Sequence, residues 1–279
     1  MRESAVSAED LLHGMPRIRS VSAVSVGWRG MTVKPGTLHL FRLNGFGKRA
    51  AMICTYYADV RCLDDERLFR EKLRLLSPYR QQKIAILRHE KDKNRSLAAG
   101  LLLDHALGIY GLQEKSVEYE IGEWGKPTLK YHPEIWFSIS HSGDYAICTV
   151  GDKPLGNDIE RVKAGRLKVA DRFFAEEERD WLYEAEREEE QVQRMFRLWT
   201  MKESFVKAIG RGMTLPFKDF VVHMDGESGR ARVRHSVDAK YYQMREYREI
   251  AGYCTAVCVQ DGGDIAYSMI PVELREKYF

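Results

Sequence analysis

The chain has 279 residues, 44% hydrophobic and 30% charged, a composition typical of a soluble globular protein. No apolar run approaches the roughly 20 residues needed to span a membrane, so we expect no membrane partner. Residues 1–50 carry eight basic and three acidic residues and so have a net charge of +5. Because the whole chain has a net charge of +3, residues 51–279 have a net charge of −2. A body of this charge excludes indiscriminate binding of nucleic acid.

Cysteine usage indicates the compartment. The number of cysteines is odd, and most of them stand in apolar, strand-like runs: Cys54, Cys62, Cys148, Cys254 and Cys258. The pattern predicts free, buried thiols in a reducing cytoplasm. Cys254 and Cys258 lack the second pair of ligands that a zinc site would need.

The N-terminal part divides near residue 52. Residues 1–50 show no sustained hydrophobic periodicity and are predicted to be a poorly ordered extension, with at most a short helix near residues 9–13 and a short strand near 37–42. A strand pattern then covers 52–60, and the organised protein is expected to begin there. Met52 is accordingly an alternative start of translation. A helix is predicted for 64–76.

Two basic helices come next. Ser77 and Pro78 form an N-cap followed by proline at the first helical position, and the helix that they open carries Arg80 and Lys83. The following helix carries Arg95 near its start and ends near residue 111. These basic side chains form either a solvated face or a surface that binds an anion such as phosphate.

Three strands are predicted in close succession, at 135–140, 145–150 and 155–160. The turn between the first two is rich in hydroxyls, and Ser140 and His141 lie beside it. These residues fit ordinary turn chemistry or contacts to phosphate better than a nucleophilic serine–histidine pair, because no acid is placed to orient the imidazole.

The third strand carries two carboxylates on one face. Alternate residues of a strand share a face, so Asp158 and Glu160 project together while Asn157 and Ile159 point the other way. Neighbouring carboxylates repel unless the face is solvated or a cation lies between them. If Glu203 packs opposite, three oxygen ligands converge in a set that suits Mg²⁺.

Glu203 belongs to a helix predicted for 195–212, which Gly210 is placed to end. Glu203 and Lys207 share one face of this helix, and Leu198, Met201 and Phe205 form part of the apolar stripe on the other. A carboxylate and an ammonium one turn apart also fit an ordinary surface pair. The charged region before this helix, residues 176–193, is predicted to be a solvated helix.

After residue 212, strands are predicted at 220–224, 230–235, 252–260 and 265–270. Helices thus alternate with antiparallel strands in two stretches, 51–154 and 155–279. The prediction is an α+β fold.

Four motifs in this order resemble those of the 4′-phosphopantetheinyl transferases, of the larger monomeric type that activates surfactin synthetase. They are GKP at 125–127, FSISHS at 137–142, GNDIE at 156–160 and WTMKESFVK at 199–207, and the basic segment 77–96 also resembles its counterpart. The resemblance covers about residues 52–279. It implies two similar halves related by pseudo-twofold symmetry, with coenzyme A in the cleft between them.

The resemblance also implies an activity. The phosphopantetheine arm of coenzyme A would be transferred to a serine of an acyl- or peptidyl-carrier protein, with release of 3′,5′-ADP. By position, Asp158, Glu160 and Glu203 would hold Mg²⁺, Glu203 would take the serine proton, and Lys207 would offset phosphate charge. The implied contacts to coenzyme A are Arg80, Lys83, Arg95, Lys126, Ser140 and His141.

One residue departs from the family pattern: Asn157 stands where the family usually has Val or Ile. Because it should face the core, its amide needs partners or costs about 1–3 kcal/mol. Two other functions stay open from the residues alone. They are an Mg²⁺-dependent nuclease or phosphodiesterase, which would need a basic channel, and a non-catalytic module that binds carrier proteins.

Overall fold

The computed structural model describes residues 41–43, 49–226 and 228–276, which all belong to the unit Leu38–Phe279. The first part contains the strands β1 (Phe41–Leu43), β2 (Arg49–Ala51) and β3 (Cys54–Asp59), the helices α1 (Glu66–Leu73), α2 (Pro78–Ala85) and α3 (Glu90–Leu107), and the strands β4 (Tyr119–Ile121), β5 (Pro127–Leu129), β6 (Trp136–Ser142) and β7 (Tyr145–Gly151). The second part contains β8 (Leu155–Arg161), α4 (Lys168–Phe173), α5 (Glu176–Tyr183), α6 (Glu188–Ile209), β9 (Val221–Met224), β10 (Arg230–Arg234), β11 (Tyr242–Tyr247), β12 (Tyr253–Gln260) and β13 (Ile270–Pro271).

The strands form two main sheets. One has the order β13-β3-β7-β6 and the other β8-β12-β11-β10-β9, and neighbours are antiparallel except for the parallel pair β13–β3. The predicted α+β fold in two halves is therefore confirmed. The strand β13 lies late in the chain but pairs with β3 of the first sheet, so the C-terminal segment contributes to both halves.

Local signals set the ends of the helices as predicted. Ser77 Oγ accepts a hydrogen bond from the Arg80 amide, and Pro78 occupies the first turn of α2. The helix α6 ends at Gly210, whose φ of 73° lies in the left-handed region that glycine adopts without strain. The charged region 176–193 divides into α5 and the start of α6 rather than forming one helix.

Each main sheet packs against one long helix. Ten of the residues of α3 are buried, and eight of them share a hydrophobic core with the first sheet. On α6 the predicted stripe is confirmed, because Leu198, Met201 and Phe205 are buried against the second sheet. Among the described residues, no helix is long and apolar enough to cross a membrane.

The predicted strands differ from the structure in several places, and the short strands β4 and β5 were not predicted. The predicted strand at 265–270 is largely wrong, because only an isolated bridge at Ile265 and the two-residue strand β13 form there. The strand β11 was not predicted, because its polar residues have tertiary partners that no local pattern reveals. Glu246, for example, receives hydrogen bonds from Arg197 of α6. The expectations for residues 1–40 and 44–48 lie outside the described residues.

Candidate active site

The candidate site lies where the edge strands of the two sheets meet. The strands β6 and β8 are joined by serine side chains of β6, in place of main-chain hydrogen bonds between the two strands. Ser138 Oγ accepts a hydrogen bond from the main-chain amide of Asn157 at 3.1 Å, and Ser142 Oγ accepts one from the main-chain amide of Arg161 at 3.2 Å. Because side chains alternate along a strand, Ser138, Ser140 and Ser142 of β6 all lie on the side that contacts β8.

The helix α6 lies directly over β8. A Cβ atom at Gly156 would be only 2.1 Å from the Ser204 carbonyl oxygen and 2.4 Å from the Ala208 amide nitrogen. Only glycine permits the backbones to approach this closely. The close contact brings Glu203 and Lys207 of α6 over the acidic residues of β8.

An ion pair joins the helix to the strand. Lys207 Nζ lies 2.7 Å from Asp158 Oδ1, and the same carboxylate oxygen accepts from Ser140 Oγ at 2.8 Å. Lys207 Nζ also lies 3.2 Å from Ser140 Oγ. Asp158 is only 4% exposed, and its second oxygen, Oδ2, is buried with no hydrogen-bond partner among the described residues.

The other two carboxylates are electrostatically coupled to Asp158. The pKa of Glu203 is raised to about 7, first by burial and then by the charge of Asp158. The pKa of Glu160 is also raised, again mainly by burial and then by Asp158, although Ser142 Oγ donates to it at 2.8 Å. The structure therefore brings together three acids whose charged forms disfavour one another.

The chemistry of these donors fits a divalent cation that prefers oxygen. The unpartnered Asp158 Oδ2 and the raised pKa values are what a site of excess negative charge would show. As the side chains stand, no three His, Cys, Asp or Glu residues in the described part of the chain are arranged to hold a metal ion. The proposed metal ligands thus remain a prediction that the donor types support.

Three of the six residues predicted to contact coenzyme A lie at this junction. Ser140 hydrogen-bonds within the Asp158–Lys207 pair, and His141 next to it is exposed. In this structure Lys126 has a structural role, because its ammonium donates hydrogen bonds to the carbonyl oxygens of Leu155 at 2.8 Å and Lys207 at 2.6 Å. Burial lowers the pKa of Lys126 to about 8.

The other three are placed differently. Arg80 is buried, with Nε 3.4 Å from Glu114 Oε1, and so is directed into the first half. Lys83 is exposed and lies over the Tyr79 ring. Arg95 pairs with Asp92 and donates to the Gly143 carbonyl at 3.2 Å, so it contacts the turn between β6 and β7 that carries the hydroxyls.

An apolar cavity of about 240 Å³ lies beside Lys207. Its walls include Lys126, Phe137 and Ile139 from the first half and Lys207 from α6. The cavity was not predicted from the sequence, because its walls come from segments far apart in the chain. The role of Gly156 was also missed, although a glycine inside a strand pattern is a recognised sign of close backbone approach.

The part of the chain that carries these residues is similar to known proteins. A family model, the 4′-phosphopantetheinyl transferase superfamily, matches residues 154–258, which include Asp158, Glu160, Glu203 and Lys207. The 4′-phosphopantetheinyl transferase Sfp of Bacillus subtilis strain 168 is 33% identical over 184 residues, or 66% of this chain and 81% of that protein. The transferase psf-1 of Bacillus pumilus is 32% identical over 203 residues, covering 70% and 85% of the two chains.

Solved structures give a weaker likeness. The holo-[acyl-carrier-protein] synthase of Thermotoga maritima is 21% identical and covers 38% of this chain and 62% of its own, with a TM-score of 0.33. No conclusion about the fold rests on a likeness this low. The identity and coverage of the Bacillus relatives are decisive, and they show that this chain is an enzyme that belongs to the 4′-phosphopantetheinyl transferase superfamily.

Proposed function

We propose that this enzyme transfers the phosphopantetheine arm of coenzyme A to a serine of an acyl- or peptidyl-carrier protein, in the presence of Mg²⁺ and with release of 3′,5′-ADP. The observation that carries the proposal is the group formed by Asp158, Glu160, Glu203 and Lys207 where the two sheets meet. In the reaction, the serine oxygen forms a bond to the pantetheine phosphorus. The bond from that phosphorus to the bridging oxygen breaks, and 3′,5′-ADP keeps that oxygen.

Glu203 is the residue best suited to take the serine proton. A general base must take up a proton readily, and burial and the charge of Asp158 raise the pKa of Glu203 in the metal-free chain. A serine hydroxyl is a weak nucleophile without such a base.

Lys207 supplies positive charge. Its ammonium lies at the rim of the apolar cavity and beside Asp158, where it can offset the charge on the phosphate that leaves. The cavity itself suits the neutral part of the pantetheine arm. When bound, Mg²⁺ would be held by Asp158, Glu160 and Glu203 and would neutralise pyrophosphate charge.

Membership of the 4′-phosphopantetheinyl transferase superfamily supports this assignment over an Mg²⁺-dependent nuclease. The five free cysteines, four of them buried, support a reducing compartment such as the cytoplasm. We also propose that the enzyme acts as a monomer, because Ser140, Asp158 and Lys207 of one chain already meet.

The test is transfer itself. The full chain is incubated with coenzyme A, Mg²⁺ and several apo-carrier domains, and each carrier is weighed by intact mass spectrometry. We expect a mass gain of one phosphopantetheine arm and formation of 3′,5′-ADP, both lost in Glu203→Gln. Glu123→Gln, at an exposed position in a turn, is the matched control. If all carriers stay unmodified while the relatives' enzymes modify them, the proposal is wrong.

A further inference from the structure

A second polar cavity lies on the outer face of the five-stranded sheet. Its volume is about 280 Å³, and β10, β11 and the segment 263–267 contribute to its walls. The strand register pairs Ala231 with Met244, and both are buried in the core on the side that α6 covers. Alternation of side chains therefore places Arg230, Arg232 and Arg245 on the opposite face, which we call the arginine face.

Two of these arginines are directly opposed. The register pairs Arg230 with Arg245 across the two strands. Like charges in directly opposite positions destabilise a sheet unless something of opposite charge offsets them. Compensation within the protein is partial. Asp225 Oδ2 lies 3.8 Å from Arg232 Nε with both side chains exposed, Asp264 also lines the cavity, and Arg230 has no ion-pair partner among the described residues.

Arg245 gives an independent indication of a ligand. Its guanidinium lies 4.6 Å from the centre of the Tyr267 ring, and both residues line the cavity. Its Nε atom is buried, yet no acceptor in the described part of the chain reaches it. The guanidinium therefore has unused donors, and because Arg245 lines the cavity, an acceptor that enters the cavity can bind the terminal nitrogens of the fork.

From these observations we propose that the arginine face binds a small phosphorylated ligand. A phosphate offers several oxygens, and the planar guanidinium forks of Arg230 and Arg245 can donate to them in pairs. The acids among the lining residues, Asp225 and Asp264, leave one net positive charge against three arginines. The modest volume suits a single phosphate group rather than a nucleic-acid strand. This site is separate from Asp158 and Lys207 and does not depend on the proposed function.

The test is calorimetry with inorganic phosphate on the full chain and on Arg230→Gln and Arg245→Gln. Arg234→Gln is the matched control, because Arg234 is on the same strand but pairs with Glu177. We expect binding to weaken about ten-fold in the two variants, which is the loss of one charge-assisted hydrogen bond, and to stay unchanged in the control.

Amide chemical shifts in the presence of phosphate identify which site responds. We expect changes in β10, β11 and residues 263–267, with normal carrier modification by Arg230→Gln. Because the Arg230 side chain is exposed, we expect Arg230→Gln to fold normally. Unchanged affinity in this variant would overturn the proposal. So would shifts confined to Asp158 and its neighbours, or binding of a single-stranded oligonucleotide without binding of free phosphate.

Discussion

At the scale of single residues, the buried amide of Asn157 has partners in both strands of the neighbouring hairpin. Its Nδ2 donates to the Ser138 carbonyl at 3.0 Å and to Thr149 Oγ1 at 2.9 Å. Thr149 Oγ1 is itself hydrogen-bonded to Thr55 Oγ1 at 2.9 Å. The residue that departs from the family pattern therefore belongs to a polar chain that ties β8 to the first sheet.

Replacing Asn157 by Val tests this polar chain. The Ser138 carbonyl and Thr149 Oγ1 each lose the donor that Asn157 Nδ2 supplies. The asparagine Oδ1 has no partner in the described residues, so its removal breaks no hydrogen bond. We expect the free energy of unfolding to fall by about 1–2 kcal/mol, measured by urea denaturation. Thr149→Val in a double-mutant cycle should show a non-additive effect. A valine variant as stable as the native chain would contradict the expectation.

Glu203 should destabilise the metal-free protein at neutral pH. Its pKa is about 7 in the folded chain against 4.5 in the unfolded chain, so the folded state holds the proton more tightly. The contribution of Glu203 to the free energy of unfolding is therefore fully present below pH 4.5 and is lost as the pH rises through 7.

We therefore expect Glu203→Gln, in the presence of a chelator, to raise the free energy of unfolding by about 2–3 kcal/mol at pH 8. The gain should disappear near pH 4.5. Urea denaturation at both pH values is the measurement, and Glu123→Gln controls for loss of an exposed charge. Equal effects of the two substitutions at pH 8 would show that burial and the charge of Asp158 do not destabilise the ionised form of Glu203.

At the scale of secondary structure, the contact between α6 and β8 depends on Gly156. The two nearest atoms that a Cβ would meet belong to the helix backbone, so they cannot move aside as a flexible side chain would. Gly156→Ala should therefore push α6 away from β8 and separate Lys207 from Asp158. We expect a loss of at least about 3 kcal/mol in the free energy of unfolding and much reduced transfer.

The matched control for this substitution is Gly108→Ala. Gly108 follows α3 with a φ of −55°, and nothing lies within 4 Å of the position of an added Cβ. Thermal melting and carrier modification should both be near normal there. A Gly156→Ala variant with a normal melting temperature would mean that the helix can shift without loss.

The same two elements show what sequence reasoning can and cannot reach. The apolar stripe of α6 and the shared face of Asp158 and Glu160 follow from the helix and strand periods, which are local. The buried pair of Lys202 and Glu178, 2.7 Å apart, was not predicted, because it joins α6 to α5 through tertiary packing. The resemblance implied a coenzyme A contact for Lys126, and that call stays a prediction. The hydrogen bonds of its ammonium to two backbone carbonyls arise from tertiary packing and were not predicted.

At the scale of the whole molecule, the site exists only because two sheet edges meet. The strand β6 is the edge of one sheet and β8 is the edge of the other. Exposed edges invite pairing with other chains, and here serine hydroxyls and the helix α6 cover them. The ligands and charges of the site thus come from both halves, so neither half is expected to be active alone.

The last prediction concerns the N-terminal segment. The strand β1 pairs with β2, and this two-stranded sheet shares no strand with either sheet that carries the site. Met52, in contrast, packs against the first core, and Ile53 is fully buried. A chain that begins at Met52 therefore keeps every described contact of the core and of the site.

We expect the free energy of unfolding of this shorter chain to lie within about 1 kcal/mol of that of the full chain, with equal carrier modification. Urea denaturation and intact mass of the carrier are measured on both chains, and a chain that begins at Tyr56 is the control, because it lacks the buried Ile53 and Cys54 and should be destabilised. A loss of more than about 2 kcal/mol, or of turnover, in the chain that begins at Met52 would show that residues 1–51 pack on the enzyme.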